Sequence, residues 1–301
     1  MRVSDERIAP VNGIEIAYQE IGEPDGEPMV LIMGLGTQMI GWDLEFCELL
    51  ANEGFRVIRF DNRDTGHSTS LGRRPPNLPA MLLGLPFGLA YTLDDMADDV
   101  ASLIDYLDLG SAHVVGISQG GMTAQVLAYN HPDKVRSLGL LSTGAGKRVA
   151  SVPRLRALGT LLAKPPRDRE AFVDQVEKTF RVIGSPDFPP DRQRLRAVIA
   201  ESYDRGHNPA GAARQLHAVT SAPERTKRLR ELKAPTVVIH GTRDPLVRPV
   251  GGRQVAKAIP GARLELIDGL GHDLPRELWP RIVGYLVENA RRAPARVTAT
   301  A

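Results

Sequence analysis

Two hydrophobic periodicities run along the chain. At the start, "RIAPVNGIEIAYQEIG" alternates apolar and polar positions on either side of Asn12-Gly13, a pattern that predicts a pair of antiparallel strands joined by a tight hairpin. Further on, "PMVLIMG", "FRVIRFD", "AHVVGIS", "VRSLGLLST", "PTVVIHG" and "ARLELID" are short β-branched runs with no alternation, as expected of strands buried on both faces. Most are followed by helical patterns. This rhythm predicts the α/β class, with a mostly parallel central sheet flanked by helices.

One helix is explicit. Leu93, Met96, Ala97, Val100, Leu103, Ile104 and Leu107 recur at steps of three and four and form a single apolar stripe. Thr92 is placed to cap its start, Asp94 and Asp95 suit the positive end of its dipole, and Gly110 lies just past its end. Such a helix delivers the chain into the strand "AHVVGIS".

Between the strand ending near Ser142 and the one starting at Pro235, the pattern becomes helical, with "REAFVDQVEKTF" and "DRQRLRAVIAESYDR" separated by Pro-Pro pairs at 165 and 189 and by "SAPE" at 221. Residues 144–233 hold 19 Lys/Arg against 10 Asp/Glu, a surplus of nine positive charges, and because the whole chain is only +2 the remainder is at −7. That shift predicts a helical cap, 144–233, inserted after the sixth strand of a core made of 1–143 and 234–301.

Composition narrows the function classes. At 301 residues, 42% hydrophobic and 25% charged, the chain is long enough for a sizeable core with one insertion. A single cysteine, Cys47, leaves no internal disulfide and no Cys-rich metal framework, and fits a reducing compartment. "MRVSDERIAP" has no signal-peptide core, and "LPAMLLGLPFGLAY" is too short and broken to span a bilayer. A soluble cytoplasmic protein without a nucleic-acid partner is therefore expected. Self-association is left open.

The chemistry starts at "HVVGISQGGM". Gly116-Ile117-Ser118-Gln119-Gly120 matches G-x-S-x-G, the sharp strand-to-helix turn that lifts a serine hydroxyl clear of a sheet. A strand precedes it and a helical pattern follows, as that turn requires. A serine hydroxyl needs a base, and the base an orienting acid. Asp244 in "VVIHGTRDPLVRP" and His272 in "LELIDGLGHDLP" each follow a strand, so a parallel sheet carries them to the same edge as Ser118. Asp268 and Asp273 compete with Asp244, but a residue adjacent to the base points poorly toward its ring. His67 competes with His272, but it lies upstream of the acid. Backbone N–H groups of Gln119 and of Leu35, the latter between Gly34 and Gly36, are the expected oxyanion donors. Met39, Trp42, Met122 and the apolar run Leu78 to Tyr91 are candidates for the wall of a substrate cleft.

Together these residues resemble the α/β-hydrolase superfamily from about Val11 to Ala290. "MGLG", "GISQG", "HGTRDPLV" and "GLGHDLP" are similar to its oxyanion, nucleophile, acid and base segments. "LIMGLGTQMIGWD" with "RFDNRDTGHS" is similar to a branch of actinobacterial carboxylesterases and lipases that includes aclacinomycin methylesterase. The resemblance implies a structural ion pair between Asp61 and Arg63. It also implies hydrolysis of a small-molecule carboxylic ester, of short or medium acyl length or the methyl ester of a bulky natural product, without metal or organic cofactor. A lactonase or cofactor-free haloperoxidase would use the same triad, and a non-catalytic binding member of the fold is the third reading. Met33 stands where many members have His, and Gln119 where Met is frequent.

Overall fold

The computed structural model describes residues 1–72, 74–146, 153–164, 166 and 168–294; the parts of the expected cap at 147–152, 165 and 167 and of the expected core at 295–301 lie outside them. Asn12 and Gly13 both take positive φ, 47° and 75°, and fold β1 (Arg7–Val11) onto β2 (Ile14–Ile21) in antiparallel register. The next strands are β3 (Glu27–Ile32), β4 (Phe55–Phe60), β5 (Ala112–Ile117), β6 (Val135–Leu141), β7 (Thr236–Gly241) and β8 (Arg263–Ile267). They form one eight-stranded sheet in the order β1-β2-β4-β3-β5-β6-β7-β8, parallel from β4 onward.

The continuous apolar runs behave as strands covered on both faces. Val30, Ile58, Val114 and Val238 enter one cluster, while Met29, Leu31, Val57, Val115, Val237 and Ile239 enter the other. The first cluster is closed by α3 (Leu93–Tyr106), α4 (Gln119–Asn130) and α10 (Pro249–Ala258), the second by α1 (Leu44–Asn52) and α11 (Trp279–Ala290). Thr92 and Asp95 cap α3 reciprocally, the Thr92 hydroxyl accepting from the Asp95 N–H at 3.1 Å and the Asp95 carboxylate accepting from the Thr92 N–H at 2.7 Å.

Between β6 and β7 lie α5 (Leu155–Leu161), α6 (Arg169–Ile183), α7 (Arg192–Gly206), α8 (Pro209–Ser221) and the short α9 (Thr226–Leu229), with α2 (Leu78–Leu83) packed against α8 from the core side. The chain's path into and out of this insertion is stapled by Arg225, whose backbone N–H donates to the Ala145 carbonyl at 2.9 Å and whose guanidinium donates to the Gly144 carbonyl at 3.0 Å. Residues 226–233 were expected in the cap. Leu229, at the end of α9, and Leu232 beyond it are buried in the first cluster with Val255, Ala258 and Ile259.

The basic surplus of the insertion has acidic partners on the core. Arg214 of α8 grips Asp64 through Nε at 2.8 Å and Nη2 at 2.5 Å. Arg205 of α7 reaches Asp61 at 2.9 Å and Glu6 at 2.7 Å, and Arg194 binds both Asp43 and Glu45. This corrects one expectation: Asp61 and Arg63 do not pair with each other. The turn after β4 splays them, Asp61 toward Arg205 and the Met39 N–H at 2.7 Å, and Arg63 into a bidentate bond with buried Asp99 on α3 at 2.6 Å per contact.

Among these pairs Asp64–Arg214 is the most deeply buried, with side chains 0% and 5% exposed. Burial pushes the Asp64 carboxyl up, but Arg214, the Leu71 N–H and the Tyr91 hydroxyl outweigh it and hold its pKa below the usual 3.8. Removing the cation alone strands a buried carboxylate, which costs about 3–5 kcal/mol. Arg214→Ala is therefore expected to lower the urea midpoint of unfolding substantially, and an unchanged midpoint would show that α8 is held by packing alone.

Candidate active site

β5 ends at Ile117, and the chain must reverse direction within one residue to start α4. Ser118 is that residue, with φ 55° and ψ −118°, a conformation that costs a non-glycine residue about 1–3 kcal/mol. It is held from three sides. The Ser118 N–H donates to the Leu141 carbonyl at 2.9 Å, the Ser118 carbonyl accepts from the Thr143 hydroxyl at 2.7 Å, and the Met122 N–H closes the first turn of α4 onto the same carbonyl.

The flanking glycines have a steric reason. A Cβ at Gly116 would run into the Gly120 carbonyl, and one at Gly120 into the carbonyl of Ile32 on β3. Gly121, which the motif does not include, is equally constrained: a Cβ there would lie 2.7 Å from Cβ of Thr143. The repeated glycine in "QGGM" was the available signal.

β7 delivers Asp244 and β8 delivers His272 to the edge where β5 delivers Ser118. The His272 Nε2 lies 3.0 Å from the Ser118 Oγ, and its Nδ1 lies 2.7 Å from Asp244 Oδ2. Facing a carboxylate, Nδ1 carries the proton, which leaves Nε2 free to accept from the serine hydroxyl. Asp244 is fully buried and its other oxygen accepts from the N–H groups of Leu246 and Val247, both at 2.9 Å. Burial depresses the His272 pKa, but the charge and hydrogen bond of Asp244, with Asp273 adding to them, leave it above 6.5.

The competing residues are engaged elsewhere. Asp273 accepts from the Ser185 hydroxyl and N–H in the insertion, and Asp268 accepts from Thr242 at 2.7 Å. His67 faces Glu6 at 2.5 Å. His240, unflagged in the sequence, sits beside the acid: its Nε2 is 3.5 Å from Asp244 Oδ2 but donates to the Val247 carbonyl at 2.7 Å. Burial pulls the His240 pKa down, favouring its neutral form.

The loop after β3 lies directly against the serine, since a Cβ at Gly34 would be 3.3 Å from the Ser118 Cβ. The next amide is Leu35. Neither the Leu35 nor the Gln119 N–H has a hydrogen-bond partner among the described residues, and Gln119 is the first residue of α4, where amides lack an intrahelical acceptor. The Gln119 side chain turns into the core, its amide nitrogen 3.2 Å from the Met96 sulfur.

The expected cleft wall is only partly where it was placed. Trp42 is fully buried and stacked on Phe46 with ring centroids 5.6 Å apart; its bulk fills the core, so it leaves the list of pocket residues. Met39 and Met122 are 2% and 8% exposed, and none of the three lines the cavity of about 840 Å³ that opens between α5, α6 and the acid-bearing loop. The run from Leu78 buries Ala80 and Met81 and leaves Leu82, Leu83 and Phe87 facing solvent. Arg243, Pro245, Gly184 and Ser185 line the cavity on the side of Asp244 and His272, with Leu155, Phe180 and Leu195 as apolar wall.

No helix among the described residues is long and apolar enough to cross a membrane. A family model described as "alpha/beta hydrolase fold" matches residues 27–275. The rhodomycin D methylesterase DauP of Streptomyces sp. (strain C5) is 28% identical, covering 95% of this chain and 98% of that protein. The enol-lactonase from Burkholderia xenovorans LB400 superposes with a TM-score of 0.74 at 27% identity, covering 95% of this chain and all of that one. A thermophilic esterase from Thermogutta terrifontis follows with 0.69 at 26%, covering 96% and 99%. With the match of the family model running through β3, the elbow and the His272 loop, the chain belongs to the α/β-hydrolase fold family.

Proposed function

We propose that this protein hydrolyses carboxylic esters through an acyl-enzyme on Ser118. The observation that carries the reading is the unbroken chain Ser118 Oγ, His272 Nε2, His272 Nδ1, Asp244 Oδ2, with links of 3.0 and 2.7 Å. His272 takes the hydroxyl proton as Ser118 attacks the ester carbonyl, and Asp244 holds the imidazole and stabilises the imidazolium. The Leu35 and Gln119 N–H groups receive the oxyanion, each such donor being worth about 2.7–4 kcal/mol of barrier. Collapse of the tetrahedral adduct passes the proton from His272 to the departing alcohol. Water then attacks the acyl-enzyme, with His272 again as base, and the acid leaves.

The methyl ester of a bulky acid is the substrate class that fits best. A methanol leaving group needs little room, and a rhodomycin D methylesterase is among the relatives; a cavity of about 840 Å³ for a large acyl portion borders the site through Arg243, Pro245 and Ser185, although Ser118, Asp244 and His272 do not line it. The rim also carries Arg154, Arg156 and Arg243, none bonded to a carboxylate among the described residues, so an acidic substituent would be welcome there. A lactone is the second reading, favoured by the enol-lactonase neighbour; ring opening gives the same acyl-enzyme with the alcohol still attached.

A fluorophosphonate probe should label the wild type at Ser118, and Ser118→Ala should lose both labelling and turnover of methyl, aryl and lactone substrates. Full hydrolysis by Ser118→Ala would end the reading. The ranking of bulky methyl esters against lactones in wild type decides between the two substrate classes.

The base must be neutral, so kcat/KM should fall on the acid side through a pKa above 6.5. Asp244→Asn removes the carboxylate that holds that value up. Its activity should drop by about 10⁴-fold, and the acid limb of the residual activity should move to lower pH. A limb that stays in place would assign the titration to another group.

A further inference from the structure

The loop that carries Leu35 is a tight turn. The Thr37 N–H donates to the Gly34 carbonyl at 3.2 Å, and Gly36 takes φ 65°, the arrangement of a four-residue turn with glycine in its third place. The peptide joining Gly34 to Leu35 is trans, so its N–H points away from its carbonyl. Any tilt of the turn therefore tilts the Leu35 N–H with it. Glycine makes such a turn soft, because little steric barrier opposes rotation about its backbone.

The softness is countered from the insertion. The side-chain carbonyl of Gln215, on α8, accepts from the Gly36 N–H at 2.8 Å, and its amide nitrogen donates to the Arg63 carbonyl at 2.8 Å. Gln215 is fully buried. It bridges the turn after β3 to the turn after β4, and the latter is itself fixed by the bidentate Arg63–Asp99 bond. α8 also comes so close that a Cβ on Gly36 would lie 3.1 Å from that of Ala212. The far end of the turn is held by α7, where the Gln38 side chain donates to the carbonyls of Ser202 and Gly206 at 2.6 and 2.9 Å.

We infer that Gln215 is a positioning residue: through Gly36 it aims the Leu35 N–H at the oxyanion, so that the acyl-transfer site is complete only when α8 is docked on the core. This rests on the reading of Leu35 as an oxyanion donor. Gln215 touches neither substrate nor the reacting atoms. Its removal should weaken binding of the tetrahedral state and leave ground-state binding and the titration of His272 alone.

The test uses full-length Gln215→Met, similar in size but without a hydrogen bond to give or accept, on a chromogenic ester, with an alkyl boronic acid as the tetrahedral mimic. Expected are a kcat lowered about 10- to 100-fold, KM within about twofold of wild type, and boronate affinity lowered in step with kcat. The acid limb of the pH profile should not move. Gln215→Glu, which still offers an acceptor to Gly36, should retain more kcat than Met. If the Met variant does not fold, Gln215→Glu alone must show kcat and boronate affinity falling together by at least threefold at constant KM. Arg214→Ala serves as the packing control on the same helix: it should lower stability with a smaller loss of boronate affinity than Gln215→Met. Wild-type kcat and boronate affinity in Gln215→Met, or a loss carried by KM or by a shifted acid limb, would overturn the inference. Hydrolysis surviving Ser118→Ala would instead overturn the reading beneath it.

Discussion

The backbone of Ser118 is the constraint around which the rest is arranged. A φ of 55° on a serine is unfavourable, and it persists because every neighbour leaves room for it or holds it there. Gly116, Gly120 and Gly121 surrender their side chains to the carbonyls of Gly120 and Ile32 and to Thr143. Leu141 at the end of the adjoining strand and Thr143 just beyond it tie down both polar groups of the Ser118 backbone. The same turn starts α4 at Gln119, whose N–H has no hydrogen-bond partner among the described residues. The proposed nucleophile and one proposed oxyanion donor are thus consecutive residues of the same turn.

The sheet edge supplies the other groups but does not finish the site. The insertion approaches it with an excess of arginine, and the core answers with Asp43, Glu45, Asp61, Asp64 and Glu6. Exposed pairs such as Arg194 with Glu45 contribute little individually. Buried Arg214 with Asp64 is different, because separating the two would leave an uncompensated charge in a sealed place. Arg194, Arg205 and Arg214 carry the insertion's charge to the core, Arg169, Arg181, Arg192 and Arg196 pair within the insertion, and Arg154 and Arg156 of the insertion line the cavity with Arg243 of the core.

What was legible in the sequence follows from how local each signal is. The hairpin at Asn12-Gly13, the capped stripe of α3 and the elbow at Ser118 are each written within a few residues, and parallel strands fix the shared edge of Ser118, Asp244 and His272 by topology alone. Pairings across long separations were not written anywhere local. Asp61 and Arg63 stand two positions apart and read as partners, yet a turn containing Asp64 at φ 70° directs them to helices 144 and 36 positions away. Trp42 reads equally well as a cleft wall or as core, and only the stacking on Phe46 decides. Gln215 carries no signal in sequence because its meaning lies in two backbone groups of other loops.

The insertion bonds to the His272 loop as well as to the Leu35 turn. The His272 N–H donates to the carbonyl of Ile183 at the end of α6 at 2.7 Å, the Gly271 N–H donates to the Ser185 hydroxyl at 2.8 Å, and Asp273 receives both polar groups of Ser185. Gly271 permits this, since a Cβ there would strike the Gly184 backbone. α6 therefore grips the His272 loop on one side of Ser118 while α7 and α8 grip the Leu35 turn on the other. The insertion is thus bonded to the core on both sides of Ser118. The cavity between α5, α6 and the Asp244 loop lies beside the first of these fastenings, since Gly184 and Ser185 are in its lining, whereas Ser118, Asp244 and His272 are not.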